Sequence, residues 1–127
     1  MTPAEIVRAE LVAWSSLDAD EISRFFAGDA VWEDGPTGAV HGYDQIRKKI
    51  AGYVGLAAWC HHDILKLAVV GDTVLTERAD HWVHKDGARY DMLIMGAFDI
   101  SNGKITAWRD YYHLDASAIN KLLEADV

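Results

Sequence analysis

Arg78, Asp80 and Asp110 are the residues of this chain whose types and spacing could do chemistry together. Arg78 and Asp80 stand two apart in the run Val74–His84, and Asp110 lies in the run Ile105–His113. Between them runs Tyr90–Ile100, joined through Lys85-Asp86-Gly87 and Ser101-Asn102-Gly103. Asp-Gly and Asn-Gly flanked by apolar runs are strong hairpin signals. With three-residue loops, each ending on a left-handed glycine, His84 pairs with Ala88 and Ile100 with Lys104. Arg78, Ile94 and Asp110 then form one row across three strands, and Asp80, Met92 and Tyr112 the next. At ~4.8 Å per strand, the Arg78 and Asp110 backbones lie ~10 Å apart, which their side chains can bridge. A guanidinium can fork hydrogen bonds to both carboxylates and fix their separation. Two carboxylates in a dry site tend to divide the roles, one ionised and one protonated, which places a base and an acid in one pocket. Two-residue loops would slip the register and move Arg78 off the face of Ile94. Leu75, Ala79 and Val83 would then form the apolar face, leaving Arg78 and Asp80 as an ordinary surface pair. Spacing leaves both arrangements open.

The elements that must position these residues divide into a helical first half and a stranded second half. Thr2-Pro3-Ala4-Glu5 is a capping box with proline at the first helical position, and Ile6, Val7, Leu11 and Trp14 give an apolar stripe over about 3–15. Asp18-Ala19-Asp20-Glu21 starts a second helix that Gly28-Asp29 is expected to end. Ala30–Glu33 reads as a short strand and Gly35-Pro36-Thr37-Gly38 as a loop. A third helix is expected from about Tyr43 to Tyr53, with Ile46 and Ile50 inward. Strands follow at Ala58–Val70, Val74–His84, Tyr90–Ile100 and Ile105–His113, and Asp115 caps a C-terminal helix through Ile119, Leu122 and Leu123. Helices followed by an antiparallel meander make an α+β layout with helices on one sheet face. The strand Tyr90–Ile100 is apolar on both faces: Tyr90, Met92, Ile94, Phe98 and Ile100 on one, Leu93, Met95 and Ala97 on the other. Its second face calls for another layer, a partner subunit or a ligand pocket.

The chain has 127 residues, which suits a single domain spanning 1–127. Half of its residues are hydrophobic, and its formal net charge of −8 argues against nucleic acid or anionic membrane as partners, since phosphate attracts basic surfaces. A single cysteine, Cys60, forbids an internal disulfide and suits a reducing cytoplasm. Met1–Glu5 carries no basic segment leading into an apolar stretch, so no secretory signal is read there.

Three stretches carry a family resemblance: Val74-Leu75-Thr76-Glu77-Arg78-Ala79-Asp80, Met95-Gly96-Ala97-Phe98-Asp99-Ile100, and Asn102-Gly103-Lys104-Ile105-Thr106-Ala107-Trp108-Arg109-Asp110-Tyr111-Tyr112. Together they resemble the limonene-1,2-epoxide hydrolases, a branch of the NTF2-like, SnoaL-like superfamily of cone-shaped α+β folds. Gly42-Tyr43-Asp44-Gln45-Ile46 resembles a helix start common in that superfamily. The resemblance implies a curved, mainly antiparallel sheet wrapped by the N-terminal helices around an apolar pocket. It also implies a cofactor-independent Asp–Arg–Asp site that hydrolyses a small lipophilic epoxide to a diol. Asp110 would activate water, Arg78 would bridge the carboxylates, and Asp80 would donate its proton to the epoxide oxygen. The family's two other water-holding positions, a tyrosine and an asparagine, align with Trp32 and Asp34. An indole offers only an N–H, and an ionised carboxylate accepts but does not donate.

The same scaffold hosts ketosteroid-isomerase-like and SnoaL-like proton-transfer enzymes and non-catalytic lipophilic-ligand binders, so both stand as alternatives. Trp32, Trp59, Trp82, Met92, Ile94 and Tyr112 could shape a substrate pocket, with Trp108 beside them or at a subunit contact. His81 and His84 point to opposite faces of one strand, and His61 and His62 diverge likewise, so no metal site is expected. Either His84 or His113 could be an acid–base residue in a cyclase or dehydratase. Cys60 reads as core. The expected partners are a small lipophilic substrate and a second copy of the chain in a sheet-to-sheet homodimer.

Overall fold

The computed structural model describes residues 1–113 together with 123 and 124. Helix α1 (Pro3–Ala13) starts as its capping box requires: the Thr2 hydroxyl accepts from the Glu5 N–H and the Glu5 carboxylate accepts from the Thr2 N–H, both at 3.1 Å. Ile6, Val7, Glu10 and Leu11 form its buried stripe, and a 3₁₀ turn, Trp14–Ser16, carries the chain onward. In α2 (Ala19–Ser23) the Asp18 carboxylate accepts from the Asp20 and Glu21 N–H groups. Helix α3 (Tyr43–Leu56) buries Ile46 and Ile50 and runs three residues past the expected Tyr53. The helix expected from Asp115 falls almost wholly outside the described residues.

Six strands form one curved sheet in the order β2-β1-β6-β5-β4-β3: β1 (Phe26–Asp34), β2 (Ala39–His41), β3 (Ala57–Val70), β4 (Thr73–His84), β5 (Arg89–Ser101) and β6 (Lys104–Tyr111). All neighbours are antiparallel except β1 and β6. The helices contribute Ile6, Val7, Leu11, Ile22, Ile46 and Ile50 to the core, and Phe98, Ile105 and Trp108 join them from the inner sheet face. Two readings near the N-terminal half need correction. Gly28-Asp29 does not end α2, which closes at Ser23; both residues lie inside β1, where the β1–β6 register shifts between Phe26 and Val31. Beyond the Gly35-Pro36-Thr37-Gly38 loop, the short edge strand β2 has no counterpart in the sequence reading, because three residues are too few to show a period-2 pattern.

The β4–β5 hairpin has the expected three-residue loop: Gly87 takes φ +92°, the His84 N–H donates to the Ala88 carbonyl at 2.8 Å, and Arg78 pairs with Ile94. The β5–β6 hairpin differs. Asn102 and Gly103 both take positive φ, as a two-residue turn of the primed kind demands, so Ser101 rather than Ile100 pairs with Lys104. A bulge then leaves Thr106 without a partner between the Ile100–Ile105 and Asp99–Ala107 pairs. Turn and bulge each slip the register by one, and the sum of two returns every side chain to its expected face. Asp110 therefore lies opposite Gly96 instead of Ile94, one row along from Arg78.

Candidate active site

The register builds the site in rows. Thr76, Gly96, Asp110 and Asp34 lie side by side across β4, β5, β6 and β1. Val74, Phe98, Trp108 and Trp32 form the row below, with the Trp108 ring stacked on Phe98 at 5.1 Å and on Trp32 at 4.8 Å. His62, Asp80 and Met92 form the row on the other side of Arg78. The alternation of β4 is now fixed: Val74, Thr76, Arg78, Asp80 and Trp82 are buried inward, while Leu75, Glu77, Ala79, His81 and Val83 face outward.

Arg78 is fully buried and makes four hydrogen bonds to two carboxylates. Its Nε and Nη2 donate to Asp80 Oδ1 and Oδ2 at 3.1 and 2.9 Å. Its Nη1 and Nη2 donate to Asp110 Oδ1 and Oδ2 at 3.0 and 2.8 Å. Nη1 also reaches the Thr76 hydroxyl at 3.2 Å. Burial opposes the charge on Arg78, but Asp110 and then Asp80 overcome that cost and hold the guanidinium charged. The Asp110 carboxyl is pushed up by burial, against the pull of Arg78 and of the Trp108 N–H, which donates to Oδ1 at 2.7 Å.

The bridge fits only because residue 96 is glycine. A Cβ there would stand 2.5 Å from both Arg78 Nη1 and Asp110 Oδ1 and 3.1 Å from the Thr76 hydroxyl. Gly96 and Thr76 were not singled out from sequence. A glycine inside an apolar strand run was the available signal, since it marks close approach by a neighbour.

Asp34, the third buried carboxylate, is held by two phenols: Tyr112 donates to Oδ1 at 2.8 Å, and Tyr53, from α3, donates to Oδ2 through a short hydrogen bond. Thr37 lies 3.1 Å from Oδ2 and Lys49 Nζ 3.5 Å from it. Burial and Asp34 together push the Tyr53 hydroxyl up to about 12 and Tyr112 higher still, so both remain donors. Gly35, at φ +46°, lies so close under the Tyr112 ring that a Cβ would stand 2.6 Å from it. Tyr53 escaped the sequence reading because its place depends on how α3 crosses the sheet.

These groups surround one cavity of about 50 Å³. Trp32, Asp34, Asp80, Trp82, Met92, Ile94, Asp110 and Tyr112 line it, and Arg78 sits behind its wall. Trp14, Tyr53, His62 and Trp108 complete it. Trp59 does not; it is exposed on the other side of β3. A mostly apolar groove continues outward, sharing Tyr53, Trp82, Met92 and Tyr112 and adding Thr37, His84 and Tyr90. Cys60 is core as expected, its thiol donating to the Trp14 carbonyl. Among the described residues no three His, Cys, Asp or Glu side chains form a metal-holding group.

The chain matches the family described as the limonene-1,2-epoxide hydrolase catalytic domain over residues 1–122. It is 28% identical over 109 residues to epoxide hydrolase EphG of Mycobacterium tuberculosis, spanning 84% of this chain and 70% of that protein. Its fold superposes on an LEH-like epoxide hydrolase of M. tuberculosis with a TM-score of 0.79 at 26% identity, covering 94% of this chain and 86% of the other. A hypothetical protein of ketosteroid isomerase-like fold from Catenulispora acidiphila, solved with trimethylamine, gives a TM-score of 0.80 at 27% identity, covering 90% and 88%. With an NTF2-like sheet, an Arg78 bridge between Asp80 and Asp110, and a match over nearly its whole length, the chain belongs to the limonene-1,2-epoxide hydrolase family.

Proposed function

We propose that this protein hydrolyses a lipophilic epoxide to a vicinal diol with no cofactor and no covalent enzyme intermediate. A water molecule donates one hydrogen to Asp110 and the other to Asp34, its neighbour across the β1–β6 pair. Its oxygen attacks an epoxide carbon as Asp110 takes the proton. The strained carbon–oxygen bond breaks, and Asp80, carrying a proton in this scheme, delivers it to the leaving oxygen. The products are the diol, a protonated Asp110 and an ionised Asp80, and proton exchange with solvent restores the starting state. Arg78 keeps the two carboxyl groups at fixed separation and stays charged throughout. Trp32 cannot replace a tyrosine hydroxyl as a water acceptor, because its nitrogen only donates. Tyr53 and Tyr112 compensate indirectly by fixing Asp34.

The observation that carries this reading is the bridge itself: two carboxylates, each under 5% exposed, held by one buried guanidinium at the wall of an aromatic cavity. The test is diol formation from cyclic and aryl epoxides in ¹⁸O-labelled water under single-turnover conditions. Labelled diol from the first turnover and a loss of about 100-fold or more in Asp110→Asn are expected. Unlabelled diol would indicate a covalent intermediate, and absence of turnover across the panel would overturn the reading. A second reading, proton transfer next to a ketone, is favoured by one observation: Asp34 is a third buried carboxylate in the cavity, braced by two phenols. Deuterium exchange beside a carbonyl, without epoxide opening, would select it.

A further inference from the structure

Among the described residues, two rings in the cavity wall hold nitrogens without partners. His62 on β3 has a side chain only 4% exposed, and neither Nδ1 nor Nε2 makes a hydrogen bond. Trp32 Nε1 on β1 is also buried and unpaired. Both rings pack against Trp14, with centroid separations of 5.5 Å for His62 and 6.0 Å for Trp32. Buried polar atoms normally find partners, and an apolar ring in either position would avoid the cost of leaving them unmet. Two other indoles of the cavity show the usual arrangement, for Trp14 donates to Glu10 and Trp108 to Asp110. Polarity at His62 and Trp32 is therefore not explained by the packing of the described residues on one another.

The position of His62 gives its unpaired nitrogens a use. Its Cα partner across the β3–β4 pair is Asp80, and its Nε2 stands 3.8 Å from Asp80 Oδ2. Burial pushes the imidazole down to about 4, so near neutral pH it carries one N–H donor and one acceptor nitrogen. Asp80 is the group placed at the epoxide oxygen in the hydrolase reading, on which this inference rests. A second oxygen, on the carbon next to the epoxide ring, would come within reach of His62. A plain hydrocarbon epoxide would leave both nitrogens as unmet as they are now.

We propose that His62 is a specificity residue that receives a hydroxyl or carbonyl oxygen adjacent to the epoxide, so that the substrate class is an epoxy alcohol or epoxy ketone with a lipophilic body. Trp32 Nε1 offers a further donor to oxygen elsewhere on the same molecule. A site built to hydrogen-bond a substrate group discriminates strongly against the analogue that lacks it.

The test compares kcat/KM for 2,3-epoxycyclohexanol and 2,3-epoxycyclohexanone with that for cyclohexene oxide, in the native protein, His62→Phe and His62→Asn. The native protein is expected to favour the oxygenated rings by about tenfold or more. That ratio should fall to near one in His62→Phe and recover in part in His62→Asn, which restores a donor and an acceptor. Because the ratio is taken within each protein, a general loss of fold or activity does not mimic the effect. Equal use of both classes, or a preference that survives in His62→Phe, would overturn the proposal. Binding of cyclohex-2-en-1-ol against cyclohexene separates the two levels, since neither molecule has an epoxide to open. A preference for the alcohol that depends on His62, without hydrolysis of any epoxide, would keep the subsite and remove the hydrolase reading. No such preference in binding or turnover would remove the subsite.

Discussion

Gly96 determines whether Arg78 can reach Asp110, although it has no functional group of its own. It is not in a turn, and its backbone does not need left-handed freedom. What it supplies is the missing Cβ, since the Arg78 and Asp110 side chains meet over its Cα. The surrounding atoms cannot yield easily, because Arg78 is pinned by Asp80 and Thr76 and Asp110 by Trp108. Gly96→Ala is therefore expected to push the guanidinium away from Asp110 while the strand persists. Epoxide turnover should fall by about 100-fold or more, the scale of losing a positioned acid or base. Circular dichroism should stay native, and a crystal structure should show a lengthened Arg78–Asp110 contact. Unchanged turnover would mean that the bridge geometry is not limiting. At this scale the sequence was legible where residues announce their chemistry, as Arg78, Asp80 and Asp110 did. It was opaque at Gly96, Thr76 and His62, whose importance comes from what lies beside them.

Strand β6 shows why the fold could be read more easily than its contacts. Its two-residue turn was one of the two arrangements left open and its bulge was not foreseen; relative to a three-residue loop each shifts the pairing by one, so inward residues stay inward and only their neighbours change. Face survives an even error, whereas pairing does not; hence the Asp110–Gly96 contact was hidden while the burial of Asp110 was not. Helix α1 presents another consequence of element placement. Its buried stripe includes Glu10, whose Oε1 accepts from Trp14 at 2.7 Å while Oε2 has no partner among the described residues. Burial pushes this carboxyl from 4.5 up to about 8, so the folded protein holds the proton more tightly than the unfolded chain does. The Glu10 contribution to stability is then greatest below about pH 4.5 and is lost as pH rises toward 8. His62 acts in the opposite direction: its pKa drops from 6.5 to about 4 on folding, so its contribution is full above 6.5 and lost as pH falls toward 4. Thermal melts of Glu10→Gln beside the native protein should show a difference that grows in favour of the variant from pH 5 to pH 8. A rise of roughly 4 °C or more is expected, about 1 kcal/mol for a domain near this size. A constant difference across that range would show that Glu10 does not change its proton affinity on folding.

At the scale of the whole molecule the sheet has two unlike faces, and among the described residues only one is covered. The inner face carries the core and the cavity, with helices packed over it. On the outer face Leu65, Leu75, Leu93, Met95 and Tyr111 are exposed, and the strand pairing brings them close: Met95 lies opposite Tyr111, and Leu93 opposite Ala79. Leu65, Leu93, Met95 and Tyr111 line one shallow surface depression. Apart from Glu77, which pairs with Met95, and His113, the lining of this depression is apolar or aromatic, and an exposed apolar patch usually marks an interface. Strand β5 has apolar side chains on both faces, and the cavity accounts for only one of them. We propose that a second copy of the chain covers the other, outer face to outer face, about a two-fold axis. Such an isologous contact uses one patch against itself and needs no additional surface. It also leaves the outward groove free, because Tyr53, Trp82, His84, Tyr90 and Met92 line that groove and none of the five exposed outer-face side chains does. Light scattering after size exclusion should give twice the chain mass of 14.1 kDa. Leu93→Lys combined with Met95→Glu should give a monomer that still turns over substrate, since neither side chain lines the cavity. A native protein that stays monomeric at every concentration would refute this arrangement. A variant that stays dimeric would place the interface elsewhere, and the outer face of β5 would then need a different occupant.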